Sequence, residues 1–401
     1  MAAVGGLAGL ALLLAAPTVA QDPVVRVGIS LPLGDASAPV TEPMRDAFLL
    51  ALTDPPLPGV TIETVVLDHA ADGVLRPEQG AADLATLAAD PAVVAVFGPL
   101  NSSVAEAQIP VGSAAGLPSC SAGATNPGLT KGPVAAALRA SGGGANTFVR
   151  TVASDDHVAL AMALHAYETL GLRSVAIVDD TSVYGAGIGD AFQAAWSALG
   201  GTVTGRVGVP AGVADYAPIV RSLADAAPDA FFFGGVTTTG APALRLGMAA
   251  AGVGDLPLLV GEGIVDGPVD LPGSYLALAG AAAAGTVSAM TTREDYPGRA
   301  SFTAAYRAAY GTDPVGYAAP AYACGEVIRA AIADAAAAGG VDREAVRARV
   351  TDPARTWETV LGPIAFDANG DATPAAVTLY AVDPAAGAAG DWVPILVRSL
   401  G

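Results

Sequence analysis

SCSAGATNPGLT, residues 119–130, sets the end of an apolar strand against a sudden run of short side chains. Ser121, Ala122, Gly123 and Ala124 leave the backbone uncovered, and Thr125, Asn126 and Pro127 turn the chain. Bare N–H and C=O groups just past a strand can touch a ligand directly. Whether this stretch is a contact surface or only a turn depends on what flanks it.

Outward from this stretch, short β-rich runs alternate with longer helical ones. Strands are expected at 24–30, 60–68 and 92–98, and helices at 42–52, 78–90 and 103–116. The alternation restarts after FVRTVA (148–153). Strands at 174–180, 202–209, 229–235 and 256–261 are separated by helices at 156–170, 184–199, 216–226 and 239–252. Such alternation predicts parallel sheets covered by helices on both faces. Two series split near Ser154 predict two similar α/β lobes. After AGTVSAM (284–290), helices are expected at 298–311 and 319–339, and strands at 362–371 and 376–383. LRASGGGANT (138–147) reads as a loop.

The 401 residues are 52% hydrophobic and carry a net charge of −19, with Lys131 the sole lysine. That is ample for large cores, and the acidic balance opposes nucleic acid and anionic lipid as partners. The opening run MAAVGGLAGLALLLAAPTVAQ predicts a signal peptide over 1–20, cleaved after Ala20, although its n-region lacks Lys and Arg. An exported protein is therefore expected. Export permits a Cys120–Cys324 disulfide, and two buried free thiols fit the sequence equally well.

No catalytic set assembles. His69, His157 and His165 lack metal-pair spacing and read as surface or capping residues. There is no G-x-S-x-G elbow and no P-loop. YGAGIGDAF (184–192) starts too far from its strand for a dinucleotide fingerprint. The adjacent carboxylates Asp155–Asp156 and Asp179–Asp180 point apart and do not suggest paired-acid chemistry. The expectation is a binding protein, not an enzyme, without cofactor or metal.

Ligands of open α/β sheets sit beyond the carboxyl ends of strands, and four strand ends here carry suitable groups. Ser102 opens a helix whose free N–H groups favour a carboxylate, or it merely caps that helix. Gly123 and Thr125 offer main chain and a hydroxyl, Tyr184 stands at the mouth of the second series, and Glu262 is an acid between glycines. Packing for Tyr184 and solvation for Glu262 are the plain alternatives.

On these residues the chain resembles the type I periplasmic binding proteins of the leucine/isoleucine/valine-binding family. VGISLPLG, VFGPLNSS, SAGATNPGLT, FVRTVASDD, AIVDDTSVYGAG, FFFGGV, GEGIVD and LGPIAFDANGD stand in family order from Val24 onward. The resemblance implies two Rossmann-like lobes, 24–153 plus 292–375 and 154–291 plus 376–401, joined by three hinge crossings. It implies a monomer that delivers an amino acid to an ABC permease of the inner membrane from the periplasm. It assigns Ser102 to the ligand carboxylate, the Gly123 carbonyl and Glu262 to the ammonium, Thr125 to ligand binding through both hydroxyl and N–H, Tyr184 to the cover and Tyr317 to the side-chain pocket. Val40 and Val236 replace aromatic residues there, and Ala71 and Asn101 stand where some relatives have a disulfide. Amides, urea or aromatic acids are the rival ligands, and a sensor the rival role.

Overall fold

A computed structural model describes Ala2 and residues 22–34, 36–386 and 390–400. The expected signal peptide lies outside the described residues. The first series forms a parallel sheet from β1 (Val24–Leu31), β2 (Thr61–Asp68), β3 (Val93–Phe97), β4 (Ser119–Ser121) and β5 (Phe148–Arg150). Its order is β2-β1-β3-β4-β5. β3 is buried along its whole length, as expected for a parallel strand covered on both faces. The second series gives β6 (Ser174–Asp179), β7 (Thr202–Gly208), β8 (Ala230–Gly234), β9 (Leu258–Val260) and β10 (Thr286–Met290). β11 (Thr356–Thr359), β12 (Gly362–Phe366) and β13 (Ala372–Thr373) make a small antiparallel sheet. β14 (Ala375–Asp383) and β15 (Asp391–Leu400) then join the second sheet antiparallel, in the order β15-β14-β10-β9-β8-β6-β7.

Each sheet carries its own core. Strand alternation in Phe231–Phe233 sends Phe232 to one face and its two neighbours to the other. Phe232 stacks on Phe192 at 4.0 Å between ring centroids. In lobe one, helix Ala38–Thr53 packs on helix Ala318–Ala337. A Cβ at Gly325 would lie 2.7 Å from Ala51 Cβ, so glycine sets that close approach. Helix Ala318–Ala337 is also tied to β4 by a disulfide. Cys120 and Cys324, both fully buried, are joined across 204 residues with Cα atoms 5.7 Å apart.

Three chain segments run between the sheets and bond to one another. Ala153 N donates to Thr291 O at 3.1 Å, Thr378 Oγ1 donates to Thr292 O at 2.8 Å, and Glu294 N donates to Thr378 Oγ1 at 2.9 Å.

Several elements depart from expectation. The helix expected at 156–170 is α-helical over Asp155–Leu164 and continues as a π-type turn, His165–Thr169. Helices Gly132–Arg139, Tyr275–Ala279 and Arg343–Val350 and strands β11 and β15 have no counterpart in the sequence reading. β15 contains Pro394, a poor strand residue, and the register shifts beside it, between Leu379 and Tyr380 of the partner strand. His69 and His165 are buried, correcting their reading as surface or capping residues. His69 packs inside lobe one with Nδ1 3.1 Å from Ser30 Oγ, and burial lowers its pKa to about 4. His157 stays partly exposed beside Ser154 Oγ, at 3.2 Å.

Candidate functional site

The carboxyl ends of β3, β4, β6 and β9 converge on the space between the two sheets, and the loops that follow them carry the polar groups. The loop after β4 is held from beneath by Arg150, which has no exposed surface. Its Nε donates to Asp371 Oδ1 at 2.8 Å, and its Nη1 donates to Ala124 O at 2.9 Å and Asn126 O at 3.0 Å. A buried guanidinium is stable only when its fork is filled. Here the fork is filled by the backbone of the bare stretch, which fixes that stretch's shape. Ser121 Oγ accepts from Gly123 N at 3.2 Å and Ala124 N at 2.9 Å. A Cβ at Gly123 would come within 2.3 Å of Leu100 Cδ1, so a side chain there would require the Leu100 side chain to move. The sequence reading missed Arg150. Its signal was an arginine within the apolar FVRTVA strand.

Glu262 follows β9 and is 2% exposed. Its Oε1 accepts from Thr125 Oγ1 at 2.7 Å, and its carbonyl accepts from Tyr184 OH at 2.7 Å. Gly261 makes room, since a Cβ there would lie 2.8 Å from Tyr184 OH. Asp155, the first residue of its helix, has no exposed surface, and its N–H donates to Thr125 O at 2.9 Å. Sequence reasoning discounted it as half of an adjacent pair whose side chains point apart, as they do here. In the fold only Asp156 turns outward, to Lys131 Nζ at 2.9 Å, whereas Asp155 turns in beside Glu262.

Among the described residues no N–H or O–H donor is bonded to either oxygen of Asp155 or to Oε2 of Glu262, and the two carboxyls lie against each other. Thr125 has one hydroxyl proton, and Glu262 takes it. Burial raises the pKa of Asp155 well above the ordinary carboxylate range, and the neighbouring Glu262 charge adds to this. Burial likewise raises Glu262, while the Thr125 hydrogen bond opposes the shift. Two such carboxyls side by side resist ionising together, and both are shifted upward. Burial, followed by the fields of these acids, raises the phenols of Tyr184 and Tyr317, which stay protonated as donors.

Ser102 is buried as the first residue of helix Ser102–Ala115 and does not cap it. Asn101 holds the cap position, with no side-chain bond, and Ser102 Oγ accepts from Asn126 N at 3.2 Å. The hydroxyl proton and the first helical N–H groups are placed to meet an anion. The structure thus brings Ser102, Gly123, Thr125, Tyr184 and Glu262 to one inter-lobe space. Tyr317, 7% exposed, is close enough to feel Glu262 and Asp155. Val236 adjoins the Glu262 loop, because a Cβ at Gly263 would lie 2.6 Å from Val236 Cγ1. Val40 is half-buried against the lobe-one core, near Gly316. No group of three or more acidic, His or Cys side chains arranged to hold a metal occurs among the described residues.

Two α/β lobes meeting over paired polar strand ends define a two-lobed ligand-binding protein. Residues 24–389 match the family model described as periplasmic binding protein, and the chain belongs to that family. The Leu/Ile/Val-binding protein BraC3 of Rhizobium johnstonii is 27% identical over 326 residues, 80% of this chain and 81% of its own. The crystal structure of a leucine-binding protein LivK from Thermotoga maritima superposes with a TM-score of 0.77 at 23% identity, covering 94% of this chain and 99% of that one. A solute-binding protein of an ABC transporter from R. palustris, solved with 4-hydroxybenzoate, also superposes at 0.77, with 20% identity and 94% and 97% coverage. As a family member the chain is a binding protein. Among the described residues no helix is long and apolar enough to cross a membrane.

Proposed function

We propose that this protein is an exported solute-binding component of an ABC importer, and that it binds a small apolar or branched-chain α-amino acid between its lobes. The observation that carries this reading is the buried pair Asp155 and Glu262, three of whose carboxyl oxygens receive no hydrogen bond from a donor among the described residues. Unpaired buried carboxylates are costly, and a ligand ammonium supplies both the positive charge and the donors. At the opposite end the Ser102 hydroxyl and helix start receive the carboxylate. Tyr184 covers the ligand, Gly123 and Thr125 grip it through main chain and hydroxyl, and Tyr317, Val40 and Val236 line its side chain.

The lobes in this reading are 24–153 plus 292–375 and 154–291 plus 376–401. The mutually bonded segments at Ala153, Thr291–Thr292 and Thr378 suit a hinge. The mature chain is periplasmic after loss of residues 1–20, acts as a monomer and docks on an inner-membrane permease.

Calorimetric titration of the mature protein with leucine, isoleucine, valine, alanine and phenylalanine tests the reading, with 4-hydroxybenzoate, acetamide and urea as rivals. Heat from an amino acid and none from its des-amino analogue is expected. Tight binding of 4-hydroxybenzoate or urea, with no response to any amino acid, overturns it. Two buried acids disfavour a ligand without a cationic group.

A further inference from the structure

The geometry points to Asn126 and Gly187 as a latch that sets ligand affinity by holding the lobes closed, although neither is assigned a ligand contact. Three of the four polar groups of Asn126 are fixed within lobe one. Its N–H donates to Ser102 Oγ at 3.2 Å, its carbonyl accepts from Arg150 Nη1 at 3.0 Å, and its Oδ1 accepts from Gly128 N at 2.7 Å. The fourth group crosses the cleft, where Nδ2 donates to Val183 O at 2.6 Å in lobe two. Val183 begins the helix Val183–Ala198, and its carbonyl has a second lone pair free for this bond.

The carboxamide fits because residue 187 has no side chain. A Cβ at Gly187 would lie 2.2 Å from Asn126 Nδ2. Glycine is among the poorest helix residues, and Gly187 has an ordinary helical backbone with no positive φ. Helix geometry therefore gives no reason for glycine at this position, whereas the incoming carboxamide does. A contact made only when the lobes meet favours the closed state, and a ligand enclosed by that state gains affinity in proportion to its population.

The inference rests on the proposed inter-lobe binding, and the test separates the two. Gly187→Ala forces the carboxamide away. Asn126→Asp keeps the acceptor for Gly128 but sets an oxygen against Val183 O. Each is expected to weaken leucine, isoleucine or valine binding about tenfold, the scale of one lost hydrogen bond. Gly187→Ala should leave the unfolding temperature of the ligand-free protein unchanged or higher, which loss of a purely structural contact would not do. The double variant should bind no worse than either single one, because both remove the same contact. Unchanged affinity in Gly187→Ala, or losses that multiply in the double variant, overturns the latch. If the wild type binds none of the three amino acids, the functional reading fails and small-angle scattering of the ligand-free proteins decides the latch. A larger radius of gyration in both single variants supports it, and identical curves refute it.

Discussion

Thr125 Oγ1, beyond β4 of lobe one, donates to Glu262 Oε1, beyond β9 of lobe two, at 2.7 Å. This one bond couples the bare loop to the buried acid and leaves Glu262 Oε2 without a donor among the described residues. Glu262→Gln keeps the shape and removes the charge. Amino acid affinity should fall about 10–100-fold, the range for a charge-assisted hydrogen bond, with the unfolding temperature retained. Calorimetry gives the first quantity and a thermal melt the second. Equal affinity in wild type and variant removes Glu262 from the ammonium site.

Binding should also depend on pH through Asp155 and Glu262. Their pKa values in the folded protein are raised, so the folded state holds more protons than the unfolded one above the ordinary carboxylate range. The stability of the ligand-free protein should therefore fall as pH rises through that window. Ligand affinity should move the opposite way, because the ammonium displaces a bound proton. Titrations in buffers of different ionisation enthalpy should show proton release on binding. Asp155→Asn should abolish the release and raise the melting temperature of the free protein at pH 8. A Kd identical at pH 5 and pH 8 contradicts this account.

Arg150 is expected to matter more than any residue that touches the ligand. It carries a buried charge whose partners are Asp371 and the carbonyls of the binding loop. Arg150→Met should destabilise the protein by about 3–5 kcal/mol, since Asp371 loses its buried partner. Chemical denaturation measures this loss. A loss below about 1 kcal/mol, the scale of an exposed pair, would show the network to be dispensable.

The Cys120–Cys324 disulfide joins the strand that feeds the binding loop to the helix that begins beside Tyr317. The loop it closes is long, at 204 residues. Replacing both cysteines by alanine should cost about 2–5 kcal/mol. Equilibrium unfolding of the variant against the oxidised wild type measures it, and equal midpoints would show that the bond contributes nothing.

Val236 adjoins the Glu262 loop at Gly263. Val236→Tyr should narrow the ligand range by filling the side-chain end of the cleft. Dissociation constants across alanine, valine, leucine and phenylalanine report this, and an unchanged ranking places Val236 outside the pocket.

Local patterning by itself determined the elements and much of the architecture. The alternation of β-rich and helical runs, broken near Ser154, dictates two lobes built on parallel strands, because strand and helix periods are fixed by the backbone, whereas the antiparallel addition of β14 and β15 to the second sheet does not follow from it. Ser102, Thr125, Tyr184 and Glu262 were legible as candidates because each is a polar residue just past an apolar strand. Asp155, Arg150 and the Asn126–Gly187 contact were not legible, since each takes its meaning from a partner on another element. Asp155 and Asp156 are indistinguishable neighbours in the chain; only the helix direction turns one toward Glu262 and the other toward Lys131. The cysteine pairing was open for the same reason, as closure over 204 residues depends on packing of helix Ala318–Ala337 against β4. β15 escaped notice because its support comes from pairing with β14 rather than from its own Pro394-containing sequence. Short-range periodicity fixes where a chain is helix or strand, whereas charge pairing and desolvation act between residues far apart in the chain and take effect only once the fold brings them together.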